Sequence, residues 1–233
     1  MLVAQATAQK GTAFLLRSGH LVTNEHVVRD CPLQELVGYS AAGQRIAFSD
    51  VFVDPRRDLA ILRPEPRQSG GLNVRSEGDL AVGAQVCTWG YPLGYNGPAP
   101  LLTVGHLSGF IDDTPDRDPQ KVVKHLVING AFNPGNSGGP LFVAGENEVI
   151  GVVVSKHAPM TPFVQSAIAV LARNQSGVVF AARDEAGNER QFVESQIVAE
   201  VLDYFRKMTQ VVIGEAIAGS ELLVFLSQRR IAL

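Results

Sequence analysis

The sequence predicts a mainly β fold, and three observations support this prediction. Short apolar runs bounded by Gly, Pro, Asn and Asp recur through residues 11–156, a pattern typical of proteins built from many short strands. A helical period begins only at Gln196. With 233 residues, 45% of them hydrophobic, the chain can bury a sizeable core, and β-rich folds of this length often form one domain.

The first predicted strands lead to two candidate side chains. Residues 14–16 and 21–23 have the pattern of a hairpin, and the run T-N-E-H-V-V with His26 follows it. The next strand is R-D-L-A-I-L-R, which contains Asp58 and is preceded by the turn-like D-P-R-R after Asp54. Asp54 suits a turn because a proline follows it. The residues alone do not decide whether Asp54 or Asp58 is the buried carboxylate.

The run G-N-S-G-G-P around Ser137 predicts a tight turn that leads into a strand. Pro140 and two glycines oppose a helix here, and the apolar residues 141–143 continue as a strand. A side-chain-free Gly135 can adopt backbone angles closed to other residues. The N–H groups of Gly135 and Ser137 could then point at one oxygen that becomes negative during acyl transfer. A glycine-rich turn that merely contains a serine is the alternative.

Together, the three runs supply the side chains of a nucleophilic hydrolase. A serine hydroxyl barely ionises near neutral pH, so Ser137 needs an imidazole to accept its proton, and that imidazole needs a carboxylate to orient it. His26 and Asp58 offer these groups in the order His, Asp, Ser. The G-x-S-x-G pattern also occurs in α/β-hydrolases, but there a helix follows the serine and the histidine comes last. Here only His157 lies downstream, without a partnering acidic run.

The three runs resemble those of trypsin-like serine peptidases of the HtrA (Deg) type, the bacterial branch of the chymotrypsin fold, over about residues 8–156. Further similar runs are G-T-A-F-L-L at 11–16, V-G-A-Q-V-C-T-W-G-Y-P-L-G at 82–94 and V-G-H-L-S-G at 104–109. The resemblance implies that His26 is the general base, Asp58 the orienting carboxylate and Ser137 the nucleophile. It also implies that the Gly135 and Ser137 N–H groups form the oxyanion hole.

The resemblance also implies the architecture: two antiparallel six-stranded β-barrels, chymotrypsin-like, with the catalytic groups in the cleft between them. We expect residues 1–66 to form the first barrel, and residues 67–195 to form the second barrel with a connecting linker in the stretch 64–83. Residues 196–233 are expected to form a C-terminal helical segment. No PDZ domain, which the family usually carries, fits in the residues that remain.

The C-terminal third is predicted from local patterns, since the resemblance fades there. Residues 177–195 have the pattern of a hairpin, and an amphipathic helix is predicted from Gln196. A second helix is expected over Glu215 to Arg229. These helices either pack on the second barrel or contact a homo-oligomer or regulatory partner. Glu215 and Glu221 argue against a membrane span.

Two departures from trypsin's own pattern concern activation and specificity. Asn136 precedes Ser137 where zymogen-activated relatives carry an aspartate, so activation through a salt bridge to a new N-terminus is not expected. Ala131 stands where trypsin has the acid that binds Lys or Arg. With the apolar strand that contains Val153 and ends at Ser155, Ala131 predicts a substrate-binding pocket for small or medium aliphatic residues before the cut.

The predicted function is that of a serine endopeptidase, a hydrolase that cleaves protein or peptide substrates through an acyl-enzyme intermediate. The alternative is a catalytically latent or inactive peptidase fold that serves as a binding module and needs a partner or oligomerisation to order its oxyanion loop. An esterase with the same residues is a third hypothesis, because its first chemical step is the same.

Composition and residue spacing exclude several other classes. The formal net charge is −3 and basic residues form no stripe, so no nucleic acid partner is expected. No histidine pair has a ligand spacing, and the two cysteines, Cys31 and Cys87, lie far apart, so neither a metal nor another cofactor is expected. Two cysteines form no disulfide framework, although their pairing stays open.

The N-terminus lacks the pattern of a signal peptide, which favours a cytoplasmic location, a mature form or an excised domain.

Overall fold

The computed structural model describes residues 1–95, 97–113, 122–154, 162–183, 189–208 and 213–232. The chain divides into two units. Met1–Lys156 and Val211–Leu233 together form the first unit, and His157–Gln210 form the second. The first unit contains both large sheets, and the mainly β class predicted from the sequence is confirmed.

The first sheet has seven strands and curls around an apolar core. Its elements are β1 (Leu2–Ala4), β2 (Gln9–Gly11), β3 (Phe14–Leu15), β4 (Leu21–Thr23), α1 (Glu25–Val28), a 3₁₀ turn (Leu33–Glu35), β5 (Leu36–Tyr39), β6 (Arg45–Asp54) and β7 (Leu59–Glu65). The pairing order is β2-β1-β5-β6-β7-β4-β3. The strands β2 and β3 stand at the two edges of this sheet. Only Thr12 and Ala13 separate them along the chain, so one nearly continuous segment forms both edges. Side chains such as Leu2, Leu36 and Leu62 fill its interior.

The remaining elements complete the second sheet and a separate helical region. They are β8 (Asn73–Val74), β9 (Gln85–Gly90), β10 (Leu101–Asp113), β11 (Val123–Asn129), β12 (Pro140–Val143), β13 (Glu148–Val154), α2 (Pro162–Arg173), β14 (Val179–Arg183), β15 (Glu189–Val193), α3 (Glu194–Met208), β16 (Ile213–Ala218) and α4 (Gly219–Gln228). Because β12 pairs with both β9 and β13, the strands β12-β9-β10-β11-β16-β13 close a six-stranded barrel, and β8 adds to it in parallel.

The strand β16 corrects the sequence prediction for the C-terminal segment. A helix was expected from Glu215, but residues 213–218 form a strand between β11 and β13, and α4 begins only at Gly219. Ala216, Ile217 and Ala218 are fully buried in the barrel. A short apolar run of this kind does not distinguish a strand from a helix, and hydrogen bonds to two distant strands decide the outcome.

The helix α4 packs in a core that both sheets share. Its Leu222, Phe225 and Leu226 are almost completely buried among side chains of the first sheet, including Ile61, and of the second, including Val152. At roughly 25 cal/mol per Å² of apolar surface, such burial is worth about 1.5–3 kcal/mol for each large side chain. The helix therefore stabilises the contact between the two sheets rather than one barrel alone.

The second unit contains α2, α3 and a two-stranded sheet. The hairpin predicted over residues 177–195 is confirmed, because β14 and β15 pair antiparallel from Val179 opposite Val193 to Arg183 opposite Glu189. The predicted domain limits at residues 66 and 195 stay predictions. Within the described ranges, none of the helices has both the length and the apolar character needed to cross a bilayer.

Candidate active site

His26 and Asp58 are joined by two hydrogen bonds. The His26 backbone N–H donates to Asp58 Oδ1 over 2.8 Å, and His26 Nδ1 lies 2.7 Å from Asp58 Oδ2. The carboxylate therefore fixes both the start of α1 and the orientation of the imidazole ring. A proton on Nδ1 leaves Nε2 as the ring nitrogen that can accept another proton. Because about a third of the His26 side chain is exposed, the ring can be reached from solvent.

The backbone of Asp58 is held in an uncommon conformation. Its φ angle is +53°, in the left-handed region that non-glycine residues rarely adopt. The Asp58 carbonyl accepts hydrogen bonds from the Asn24 side-chain amide (3.0 Å) and from the Glu25 backbone N–H (3.1 Å). Residues adjacent to His26 thus bind the main chain of Asp58, while His26 itself binds the side chain.

The structure separates the roles of the two aspartates that the sequence left open. Asp54 Oδ1 accepts the backbone N–H groups of Arg56 and Arg57, each over 3.1 Å, and Asp54 Oδ2 lies 2.6 Å from Arg57 Nη1. Asp54 therefore stabilises the turn between β6 and β7. Asp58 is the aspartate that reaches His26.

The loop around Ser137 is a sequence of tight turns held by backbone hydrogen bonds. Gly135 has a φ of +93° and Gly138 a φ of +83°, which only glycine adopts without strain. A Cβ at Gly138 would overlap the Thr12 carbonyl and the Thr23 hydroxyl. Ser137 itself is only 4% exposed. The glycines thus allow the loop to pass close to the first sheet.

Contacts across the first unit place the Ser137 backbone beside α1. The Thr12 N–H donates to the Ser137 carbonyl over 2.8 Å. A Cβ at Gly11 would lie 2.6 Å from Val27 Cγ1 and 3.3 Å from the Ser137 carbonyl oxygen, so Gly11 touches both. Val27 is the residue after His26. The three predicted catalytic residues are therefore carried by adjoining segments.

The peptide bond before Gly135 is oriented by the segment that follows β9. The Leu93 N–H donates to the Pro134 carbonyl over 2.6 Å. In a trans peptide the carbonyl and the N–H point in opposite directions. The Gly135 N–H therefore points away from Leu93, which is compatible with its predicted function as an oxyanion donor.

Asn136 occupies a buried position against Gly90. Its side chain is 1% exposed, and a Cβ at Gly90 would overlap its amide. Within the described residues, neither polar atom of this side chain has a hydrogen-bond partner. An aspartate here would bury an unpaired charge at a far higher cost than a neutral amide. Burial therefore disfavours aspartate at this position more strongly than asparagine.

The three predicted substrate-binding residues have different surroundings. Ala131 is half-buried before the Ser137 loop. Val153 is fully buried in the second barrel, where its N–H donates to the Gly139 carbonyl (2.8 Å) and its carbonyl accepts from the Gly138 N–H (2.9 Å). Its observed contacts therefore support the loop rather than an open pocket. Ser155 lies outside the described residues.

Phe132 and Gly214 form a contact that the sequence analysis missed. Phe132 is 4% exposed and packs in the second barrel, and a Cβ at Gly214 would overlap its ring. The contact could not be recognised from the sequence because Gly214 was placed before a helix rather than within β16. The ring of Phe132 therefore belongs to the core of the second barrel.

A second histidine–carboxylate pair is structural in character. His125 on β11 and Glu215 on the paired strand β16 are both largely buried, with His125 Nδ1 3.2 Å from Glu215 Oε2. The pair lies on the wall of the second barrel. No group of three or more His, Cys, Asp or Glu side chains in the described ranges could hold a metal ion.

Comparisons with known proteins identify the family. The family model of the trypsin-like peptidase domain matches residues 11–152. The uncharacterized protein y4bJ of Sinorhizobium fredii is 38% identical over 157 residues, which cover 65% of this chain and 22% of the relative. A probable periplasmic serine endoprotease DegP-like of Pseudomonas fulva is 30% identical over 143 residues, which cover 61% of this chain and 28% of the relative. The chain thus spans about a quarter of the length of these curated relatives.

A solved structure extends the likeness to the fold. The HtrA-type protease AlgW with a bound decapeptide superposes with a TM-score of 0.60 at 19% identity, covering 93% of this chain and 50% of the other. At this identity the superposition shows the fold alone. The match to the family model covers more than half of the chain, and the relatives include DegP-like proteins. The chain therefore belongs to the trypsin-like peptidase family, and the proteins that it is similar to include DegP-like and HtrA-type proteases.

Proposed function

We propose that the chain is a serine endopeptidase that cleaves protein or peptide substrates with His26, Asp58 and Ser137. The observation that supports this proposal most strongly is the pair of hydrogen bonds from His26 to Asp58. A lone histidine on a short helix is most often a packing residue. A histidine whose Nδ1 is bound by a carboxylate, beside a glycine-rich serine loop, has the arrangement that general base catalysis requires.

The first half of the proposed reaction forms an acyl-enzyme. Ser137 Oγ attacks the scissile carbonyl carbon while His26 Nε2 takes the hydroxyl proton. Asp58 stabilises the imidazolium that results. The carbonyl oxygen becomes negative and binds the N–H groups of Gly135 and Ser137. The C–N bond then breaks, and the imidazolium donates its proton to the leaving amine.

The second half repeats the chemistry with water. His26 Nε2 takes a proton from a water molecule, whose oxygen attacks the acyl carbon. The ester bond to Ser137 Oγ breaks, the imidazolium returns the proton to that oxygen, and the carboxylic acid product leaves. The same two N–H groups stabilise both tetrahedral intermediates, so removing one donor should cost about 10²–10³ in kcat.

The proposed specificity is for small or medium aliphatic residues before the cut. Ala131 is half-buried and supplies no carboxylate that could bind a cation. A single methylene in an apolar pocket is worth about 1–3 kcal/mol, so the preference should be loose. Peptide-library cleavage should therefore give a graded preference among Ala, Val, Ile and Leu. Cleavage confined to Lys or Arg would contradict the proposal.

Cleavage of an unfolded protein tests the proposed activity. The wild-type chain should degrade reduced, unfolded casein, and Ser137→Ala should not. Ser49→Ala is the matched control, since Ser49 is exposed on β6 and far along the chain from the loop. Equal degradation by wild type and Ser137→Ala would reject the proposed nucleophile. Hydrolysis of simple esters without any peptide cleavage would support the esterase instead.

We propose that a second copy of the chain binds to α3 and not to α4. The apolar face of α4 is occupied by the shared core. In contrast, α3 exposes several large apolar side chains: Ile197, Val198, Val201, Leu202 and Phe205. Light scattering of wild type and Val201→Glu tests this proposal. A larger mass for wild type than for the variant is expected, and equal monomeric masses would contradict it.

A further inference from the structure

Thr12 forms hydrogen bonds with all its polar atoms, and two of these bonds connect the first sheet to the loop that carries the nucleophile. It lies in the interruption between β2 and β3 and is 3% exposed. Its hydroxyl donates to the Gly135 carbonyl over 2.7 Å and accepts the Tyr91 N–H over 3.1 Å. Its N–H donates to the Ser137 carbonyl (2.8 Å), and its carbonyl accepts from the Thr23 hydroxyl (2.7 Å).

The hydroxyl of Thr12 binds the two segments that orient the Gly135 peptide. Tyr91 begins the segment whose Leu93 N–H holds the Pro134 carbonyl. A Cβ at Gly135 would overlap the Tyr91 carbonyl and lie 3.0 Å from the Leu93 nitrogen, so this segment is in direct contact with Gly135. Thr12 is thus hydrogen-bonded to Tyr91 on one side and to Gly135 on the other.

The loop around Gly135 is buried, so polar groups that lose a partner there cannot turn to solvent. Residues 135–140 are all buried, and Gly135 lies directly against the segment that begins at Tyr91. An unpaired carbonyl or N–H is costly at such a site, which favours a change of backbone orientation when the hydroxyl of Thr12 is removed.

We propose that Thr12 is a positioning residue, whose hydroxyl holds the Gly135 N–H in the orientation of an oxyanion donor. The proposal rests on the proposed peptidase function and extends it to a residue of the other sheet. Without the hydroxyl, the Gly135 carbonyl and the Tyr91 N–H both lose a buried partner. The Pro134–Gly135 peptide can then rotate, which turns one of the two donors away from the reacting oxygen.

Three variants separate positioning from general stability. Thr12→Val keeps the side-chain shape but removes the hydroxyl, and Thr12→Ser keeps the hydroxyl. Thr88→Val is the matched control, because Thr88 is 0% exposed and its hydroxyl has no partner within the described part of the chain. Removing an oxyanion donor outright costs about 10²–10³ in kcat, so we expect Thr12→Val to lower kcat by about 10–100-fold with KM little changed. Thr12→Ser and Thr88→Val should stay close to wild type.

Amide hydrogen exchange tests the same proposal without catalysis. The Leu93 N–H reports on the loop, because it is bound to the Pro134 carbonyl rather than to Thr12. In Thr12→Val, the amides of both Tyr91 and Leu93 should exchange faster than in Thr12→Ser and Thr88→Val. Faster exchange at Tyr91 alone, together with wild-type kcat, would overturn the proposal.

The two measurements distinguish failure of this inference from failure of the proposed function. If the wild type cleaves no substrate, the proposed function fails, and exchange at Leu93 still decides whether Thr12 holds the loop. If the wild type is active and Thr12→Val has the same kcat, the positioning function is rejected while the peptidase remains. Equal losses of kcat in Thr12→Val and Thr88→Val would also reject the positioning function. The loss would then result from replacing any buried threonine.

Discussion

The carboxylate of Asp58 reaches His26 because its backbone adopts a conformation that aspartate uses more readily than most residues. The left-handed φ turns the side chain back toward α1, while Asn24 and Glu25 hold the carbonyl. At the scale of single residues, the site therefore depends on main-chain geometry as much as on side-chain identity. The same holds for Gly135, whose positive φ sets the direction of its N–H group.

Asp58→Asn tests the contact with His26. We expect kcat to fall by about 10³–10⁴, because an amide that donates to Nδ1 favours the tautomer in which Nε2 carries the proton. Peptide hydrolysis under saturating substrate measures the effect. Asp54→Asn is the control, and it should lower the melting temperature through the loss of its contact with buried Arg57 while kcat changes less than tenfold. The reverse pattern would assign the catalytic carboxylate to Asp54.

Gly135→Ala tests the turn of the Ser137 loop. The added Cβ would overlap the Tyr91 carbonyl at a residue with positive φ, so we expect a loss of kcat of about 10²–10³ as the donor moves. Gly145→Ala has a similar φ of +87° but nothing within 4 Å of its Cβ. Both variants should lose about 1–3 kcal/mol of stability from backbone strain. Unchanged kcat in Gly135→Ala would exclude its N–H from the oxyanion hole.

At the scale of elements, the start of α4 is fixed by a buried carboxylate from the connection between β8 and β9. Glu77 is 2% exposed and accepts hydrogen bonds from the Ser220 N–H and hydroxyl, each over 3.0 Å. Lys124 Nζ lies 3.2 Å away. Burial alone would raise the pKa of Glu77, but hydrogen bonds from backbone N–H groups, Lys124 and Ser220 lower it below the model-compound value of 4.5.

The lowered pKa gives Glu77 a definite pH dependence. Its ionised form stabilises the native state above pH 4.5, and this contribution is lost as the pH falls from 4.5 through the folded-state pKa. Urea unfolding of Glu77→Gln above pH 4.5 should show a loss of about 1–3 kcal/mol, which shrinks at lower pH. Glu65→Gln, at an exposed position, should show no such change. A penalty for Glu77→Gln that grows on acidification would contradict this assignment.

At the scale of the whole molecule, the apolar core shared by the two sheets keeps the residues of the site together. His26 and Asp58 come from the first sheet, whereas Ser137 lies in a loop of the second. Because α4 packs against both, its side chains should affect the stability of the entire first unit. The C-terminal helix also binds the residue before Asp58, because Glu221 Oε2 accepts a hydrogen bond from Arg57 Nε over 2.7 Å.

Phe225→Ala tests the importance of this shared core. Phe225 is 1% exposed, and its truncation should lower the free energy of unfolding by about 3–5 kcal/mol. Phe163→Ala, at a position that is 80% exposed, should change it by less than about 0.5 kcal/mol. Chemical denaturation followed by tryptophan fluorescence measures both. A small effect at Phe225 would show that α4 is dispensable for the fold.

The sequence was sufficient to predict the fold class, and it offered His26, Asp58 and Ser137 as the site because each lies in a short run whose chemistry is local. Their catalytic function stays a prediction. The residues alone left Asp54 and Asp58 open, and only the family resemblance favoured Asp58, since the contact with His26 depends on a single φ angle and on the position of α1. The prediction of a helix from Glu215 was wrong for residues 215–218, because the strands that bind β16 lie far away along the chain. The contacts of Thr12 and Phe132 could not be predicted, because nothing in the local sequence distinguishes these two residues from ordinary buried residues.

Reaction with a fluorophosphonate probe, with the modified residue located by mass spectrometry, shows whether Ser137 is an activated nucleophile. We expect that the wild type is phosphonylated at Ser137 Oγ, that Ser137→Ala is not, and that His26→Ala reacts far more slowly because no base accepts the proton. Modification at another residue, or none in a folded wild-type protein, would contradict the claim that His26, Asp58 and Ser137 form an assembled catalytic site.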